Sequence, residues 1–194
     1  RASFPKYVFS ILKTLESVIP VKKSDVFDAI SKMEIIRKNI FSNNLNENNV
    51  ALNLAKWITG TPVLYYPWGL QSAAIRFKNS LQENSKLHAI TEDVIEACHN
   101  GIVSWERNSN MQPILIQGHD DYFKTIERWK ILKEFFNSKQ IEYKEISSVE
   151  GNIISKIINL IYLLDYASIY HSVISGIDPS PVSGIDFIKE RLSK

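Results

Sequence analysis

Apolar residues recur at helical spacing through the first third of the chain. Phe4, Val8, Leu12 and Leu15 define one helix, with Pro5 tolerated in its first turn. A second helix is expected from Ser24, read as its N-cap, through Val26, Ile30, Met33 and Ile36. The Asn-rich stretch SNNLNENN (42–49) reads as a loop, and a short helix follows around Leu52 to Ile58. The pattern then changes. TGTPVLYYPWG is a β-rich apolar run bounded by Gly and Pro, MQPILIQGHDD repeats it, and QIEYKEIS is a third candidate strand.

Helical segments separate these runs. SAAIRFKNSLQENSK is amphipathic, with Ala73, Phe77 and Leu81 on its core face. ITEDVIEACHNG opens like a capped helix, Thr91 standing before Glu92 and Asp93, and closes on the helix-stop pair Asn100-Gly101. Tyr122, Ile126, Trp129, Leu132 and Phe136 share one face of a further helix. Strand alternating with helix predicts one α/β domain, a mostly parallel sheet covered on both faces behind a helical N-terminal third. Ligands of such sheets sit beyond the carboxyl ends of the strands.

The longest apolar segment, Asn152 to Ile174, could tempt a membrane reading. Lys156, Asn159, Asp165 and Ser168 interrupt it about once per helical turn, which predicts a largely buried helix of a soluble protein instead. The sequence closes on a Pro-rich turn and a short helix, GIDPSPVSGIDFIKERLSK.

Composition narrows the function classes. Net charge is +2, with lysines interleaved among acids, so no basic stripe points to nucleic acid. The single cysteine, Cys98, excludes an intrachain disulfide framework and any CxxC site, and fits a reducing cytoplasm. The start on Arg-Ala-Ser, with no methionine and no signal-like segment, points to a piece of a longer protein or a processed product.

No P-loop, GxGxxG, GxSxG or HExxH occurs. His88, His99, His119 and His171 do not pair with carboxylates at helical metal spacing, so no metal site and no cofactor are expected. Taken alone, Glu83 is a surface carboxylate near a helix C-terminus, where the dipole disfavours it. His99 reads as a helix C-cap and Lys189 as a solvated helix residue. Spacing does not choose between these readings and a catalytic one.

Four segments, in order, resemble blocks of the C-terminal half of the archaeal-type bifunctional phosphoglucose/phosphomannose isomerases, which are built from two sugar-isomerase (SIS) domains. RASFP resembles the family's RAxLP. AAIRFKNSLQENSK resembles its A-R-x-K-N-x-x-NENAK block, IEACHNGIVSW its PExxHN block, and DPSPVSGIDFIKERL its DPTPVxxIxxLKxxL ending. The resemblance spans essentially the whole chain. It implies an SIS-type α/β domain that interconverts glucose 6-phosphate, and mannose 6-phosphate, with fructose 6-phosphate.

It also implies roles. Arg1 takes the place of the arginine that stabilises the enediolate, and Glu83 that of the base moving a proton between C2 and C1. His99 takes the place of a histidine that assists ring opening across a homodimer interface, and Lys189 that of a lysine working at the ring oxygen. The chemistry asks for such a set: acid–base groups open the ring, a carboxylate shuttles one proton through a cis-enediol, and a fixed cation meets the charge on its oxygens. Gln82 and Ser85 replace Asn and Ala of the family block. Gly101 stands where many members have Glu. Ser180, with Ser183 nearby, lies where the family's C-terminal turn has a threonine associated with room for both C2 epimers, which makes both candidate substrate-binding residues.

The family's phosphate-binding serines and threonines belong to its first SIS domain, in glycine- and serine-rich loops that this sequence lacks. The expectation is a second SIS domain that needs a companion N-terminal one and is nearly inactive alone. A non-catalytic SIS-type module, binding a sugar phosphate or mediating dimerisation, is the alternative, and a helical protein-interaction domain a third reading.

Overall fold

A computed structural model of the chain describes residues 4–192. Three helices come first, α1 (Phe4–Thr14), α2 (Lys23–Ile40) and α3 (Val50–Trp57). Four strands then alternate with helices: β1 (Thr61–Tyr66), α4 (Gln71–Ser85), β2 (Ile90–Asp93), α5 (Val94–Ala97), β3 (Met111–Gln117), α6 (Phe123–Ser138) and β4 (Lys144–Ser147). A 3₁₀ turn at Gly101–Glu106 follows α5, and α7 (Ile153–Ile174) and α8 (Ser183–Leu192) complete the chain.

The sheet is parallel throughout, in the order β2-β1-β3-β4. Its inner strands are buried along nearly their whole length, as expected where helices cover both faces. Side-chain alternation divides the core in two. Leu64, Tyr66, Ile114 and Ile116 pack on one face with Phe77, Leu81, Leu160 and Leu164. Val63, Tyr65 and Leu115 pack on the other with Trp105, Trp129, Leu132 and Phe136. Pro113, which cannot donate to a ladder, lies on β3 just before its pairing with β4 begins at Ile114.

The apolar helix α7 is the hub of the first layer, packed against α2, α3 and α4. It is long and apolar enough to cross a membrane by length and composition. Its polar interruptions all have partners inside the fold. Lys156 pairs with Asp120, Asn159 donates to the carbonyls of Ala29 and Ser155, Asp165 accepts from Arg76, and Ser168 accepts from Asn84.

Several expectations are corrected. Ile90–Asp93 is a strand, β2, added to the three expected, and not the start of a helix. Asp93, not Thr91, caps the short α5, accepting from the Ile95 N–H at 2.8 Å. The charged Glu92 and Asp93 suit an edge strand. Ser24 lies inside α2, where Asp25 takes the capping work by accepting from the Lys22 N–H at 2.9 Å. On α6 the core face runs through Thr125, Trp129, Leu132 and Phe136, while Tyr122 and Ile126 are exposed. The third candidate strand contracts to Lys144–Ser147.

Candidate functional site

Helix α4 is fastened to α7 by a polar seam at its inner edge. Arg76 makes an ion pair with Asp165 at 2.9 Å, and the Ser80 hydroxyl donates to the same carboxylate at 2.5 Å. One turn further, Asn84 donates to Ser168 Oγ at 2.8 Å and Ser85 to the Ser168 carbonyl at 2.9 Å. Asn84 and Ser85 are buried, so Glu83, half-buried beside them, rides on a helix end that has little freedom to move. The helix stops at Lys86, whose φ of 55° is left-handed.

The chain returns to this place from α7. That helix ends in a Schellman motif, with Gly176 at φ 66°, its N–H on the Val173 carbonyl, and the Ile177 N–H on the Ser172 carbonyl. Asp178 then accepts from the Ser180 N–H at 2.8 Å, a bond that holds its carboxyl below the usual range. Pro181 leads into α8. Lys86 Nζ closes the loop, donating to the Glu83 carbonyl at 2.6 Å and the Pro181 carbonyl at 2.7 Å.

Between these walls lies a groove of about 380 Å³ lined by Gln82, Glu83, Lys86, Val182, Ser183 and Ile185, among others. The structure thus brings Glu83 and Ser183 together. Ser180 sits in the turn ahead of the groove. Lys189 stands one helical turn beyond Ile185, on the same face of α8, and is exposed. Arg1 lies outside the described residues.

His99 is elsewhere. It occupies an exposed turn after α5, its N–H on the Glu96 carbonyl at 3.0 Å. Because α4 runs back from the carboxyl end of β1, Glu83 lies at the amino-terminal edge of the sheet, whereas His99 follows the carboxyl end of β2. Strands of this length make the sheet roughly 13–23 Å deep at about 3.3 Å per residue. One chain therefore does not put the two residues in one site, and the groove lies opposite the carboxyl edge where sheets of this kind ordinarily bind ligands.

Near His99, Glu92 stands at the carboxyl end of β2, and burial and the charge of Glu96 raise its carboxyl pKa. The carboxylate fills the space beside Gly101, where a Cβ would come within 2.6 Å of both its oxygens. Burial also raises the Cys98 thiol and the Tyr65 hydroxyl, the latter accepting from Trp105 Nε1 at 2.8 Å. Among the described residues no three His, Cys, Asp or Glu side chains converge as metal ligands. Sequence reasoning gave Asn84 and Lys86 no role, although both lie in the AAIRFKNSLQENSK segment and match the Asn and Lys that end the block it resembles.

The comparisons with known proteins agree with this architecture. Residues 47–192 match a family profile described as the bacterial phospho-glucose isomerase C-terminal SIS domain. A bifunctional phosphoglucose/phosphomannose isomerase of Caldicellulosiruptor bescii is 29% identical over 152 residues, covering 73% of this chain and 45% of the relative. One from Aquifex aeolicus is 25% identical over 194 residues, covering 98% and 59%. The chain spans about half the length of the curated relatives it matches. A glucose-6-phosphate isomerase-like protein from Thermus thermophilus superposes with a TM-score of 0.65 at 15% identity, over 81% of this chain and 52% of that one, a likeness of fold.

Proposed function

The chain belongs to the bacterial phospho-glucose isomerase C-terminal SIS domain family, and from that premise we propose that it supplies acid–base residues for interconverting glucose 6-phosphate, and mannose 6-phosphate, with fructose 6-phosphate. Glu83 is the base. Its carboxylate takes the C2 proton of the open-chain aldose and returns it to C1 through a cis-enediol. Lys189, at the ring oxygen, and His99, from a second copy of the chain, open the ring. Arg1 meets the charge on the enediolate oxygens. Ser180 and Ser183 contact the sugar. The sugar's phosphate is gripped by a companion N-terminal SIS domain, and its binding energy orients the reacting carbons.

One observation carries this reading. Two chain segments about 100 residues apart meet in a groove that puts Glu83 against the turn and helix bearing Ser183 and Lys189. The position of His99 at the opposite edge supports its working on the neighbouring subunit's substrate. The test is Glu83→Gln in the complete two-domain protein. Isomerisation should fall by at least about a thousandfold while sugar-phosphate binding stays within severalfold. Turnover near the wild-type rate would remove Glu83 as the base. Binding without turnover in the unmodified two-domain protein would make the chain a binding module instead.

A further inference from the structure

We propose that Lys86 is a positioning residue, whose ammonium sets the angle between the α4 end carrying Glu83 and the turn that launches α8. The inference rests on the isomerase reading of that groove.

Two observations carry it. The first is the pair of hydrogen bonds that Lys86 Nζ donates to the carbonyls of Glu83 and Pro181, at 2.6 and 2.7 Å, which joins segments 95 residues apart. Helix α8 buries no side chain, and its ten residues are fewer than an isolated helix needs to persist in water. Ties made by the turn ahead of it therefore matter to its placement, and this cation makes one of them. A cation beyond the last turn of α4 also offsets the negative end of the helix dipole that Glu83 faces.

The second observation is the backbone. At φ 55°, Lys86 occupies the helix-stop position that glycine adopts without steric cost and a side chain disfavours. A lysine there, in place of glycine, sets a long cationic side chain at the end of the helix. Its four-carbon stem reaches the far wall of the groove.

The test separates the amine from the backbone. Lys86→Gly removes the amine and relieves the left-handed strain, so the fold should melt no lower than wild type. Lys86→Met removes the amine and keeps the strain. In the 194-residue chain, both should speed amide exchange across residues 183–192 by about tenfold. In the complete two-domain protein, both should lower kcat about tenfold with KM within about twofold, and Lys86→Arg should recover most of the loss. Unchanged exchange in both variants overturns the proposal. So does faster exchange with wild-type kcat, since the tie would then be structural only. Failure of the isomerase reading would show differently, as an unmodified protein that does not turn over while exchange still responds to Lys86.

Discussion

Asn84 donates to the hydroxyl of Ser168 across 2.8 Å in the buried seam between α4 and α7, one residue from Glu83. The Ser168 hydroxyl in turn donates to the Asp165 carbonyl at 2.7 Å, and Asp165 holds Arg76 and Ser80. The seam is thus a chain of bonds and not a set of separate contacts.

Asn84→Ala should therefore cost about 1–3 kcal/mol, because it strips a buried hydroxyl of its donor. For a chain of this size that lowers the melting temperature by roughly 2–12 °C. Thermal unfolding of the 194-residue chain reads this directly, and a midpoint within a degree of wild type would mean the bond carries no net stability.

The opposite placement of Glu83 and His99 makes a sharp complementation experiment. Glu83→Gln and His99→Ala versions of the complete protein should each be inactive alone. If His99 serves its neighbour, mixed dimers regain one intact site, and random reassociation restores about a quarter of the wild-type rate. Mixtures that stay inactive despite subunit exchange would place both residues in one subunit's site.

Gly101 and Glu92 should be energetically coupled. In Gly101→Ala the new methyl meets the Glu92 carboxylate, which must swing away. The single substitution should be destabilising, and adding Glu92→Ser should recover much of the loss, a non-additivity of about 0.5–3 kcal/mol. Additive denaturant midpoints would show that the carboxylate moves at no cost.

His171 predicts an acid-side loss of stability. Burial holds its pKa below the ordinary value, outweighing the opposing pull of the Ile58 carbonyl, and Nδ1 has no hydrogen-bond partner among the described residues. A group depressed in the folded state contributes stability above its unfolded value of about 6.5 and loses it as pH falls toward the folded one. His171→Gln keeps a donor for Ile58 and cannot titrate. The wild-type midpoint should fall relative to this variant below about pH 6.5, and parallel curves would contradict the assignment.

What could be read from sequence followed the periodicity. Ala73, Phe77 and Leu81 are all fully buried, as helical spacing required, and the inner strands stand where the apolar runs lie. Ile90–Asp93 was illegible because Thr-Glu-Asp mimics a helix start. Its strand state comes from pairing with β1, some 27 residues earlier, which no local rule contains. On α6 the expected Trp129, Leu132 and Phe136 are buried, and only the first turn differs, where Tyr122 stands before the helix as its N-cap and Thr125 takes the core position expected of Ile126. At the site, Glu83 and Ser183 were chosen by resemblance, not by spacing. The tie that joins their segments depends on where Lys86, itself left-handed, points its side chain, and sequence periodicity does not encode that.

The edges of the sheet have a consequence for how copies of the chain can meet. Both edge strands are only four residues long. One carries Glu92 and Asp93, and the other carries Lys144 and Glu145, with Glu145 tied to Lys133 at 2.9 Å. Short, charged margins are poor templates for strand addition, and they protect a β-containing protein from fibre-like stacking. Association is thereby steered away from a continuous intermolecular sheet and toward side-chain surfaces on helices and loops. There, a single residue such as His99 can be offered to a neighbour without either copy giving up its backbone hydrogen bonds.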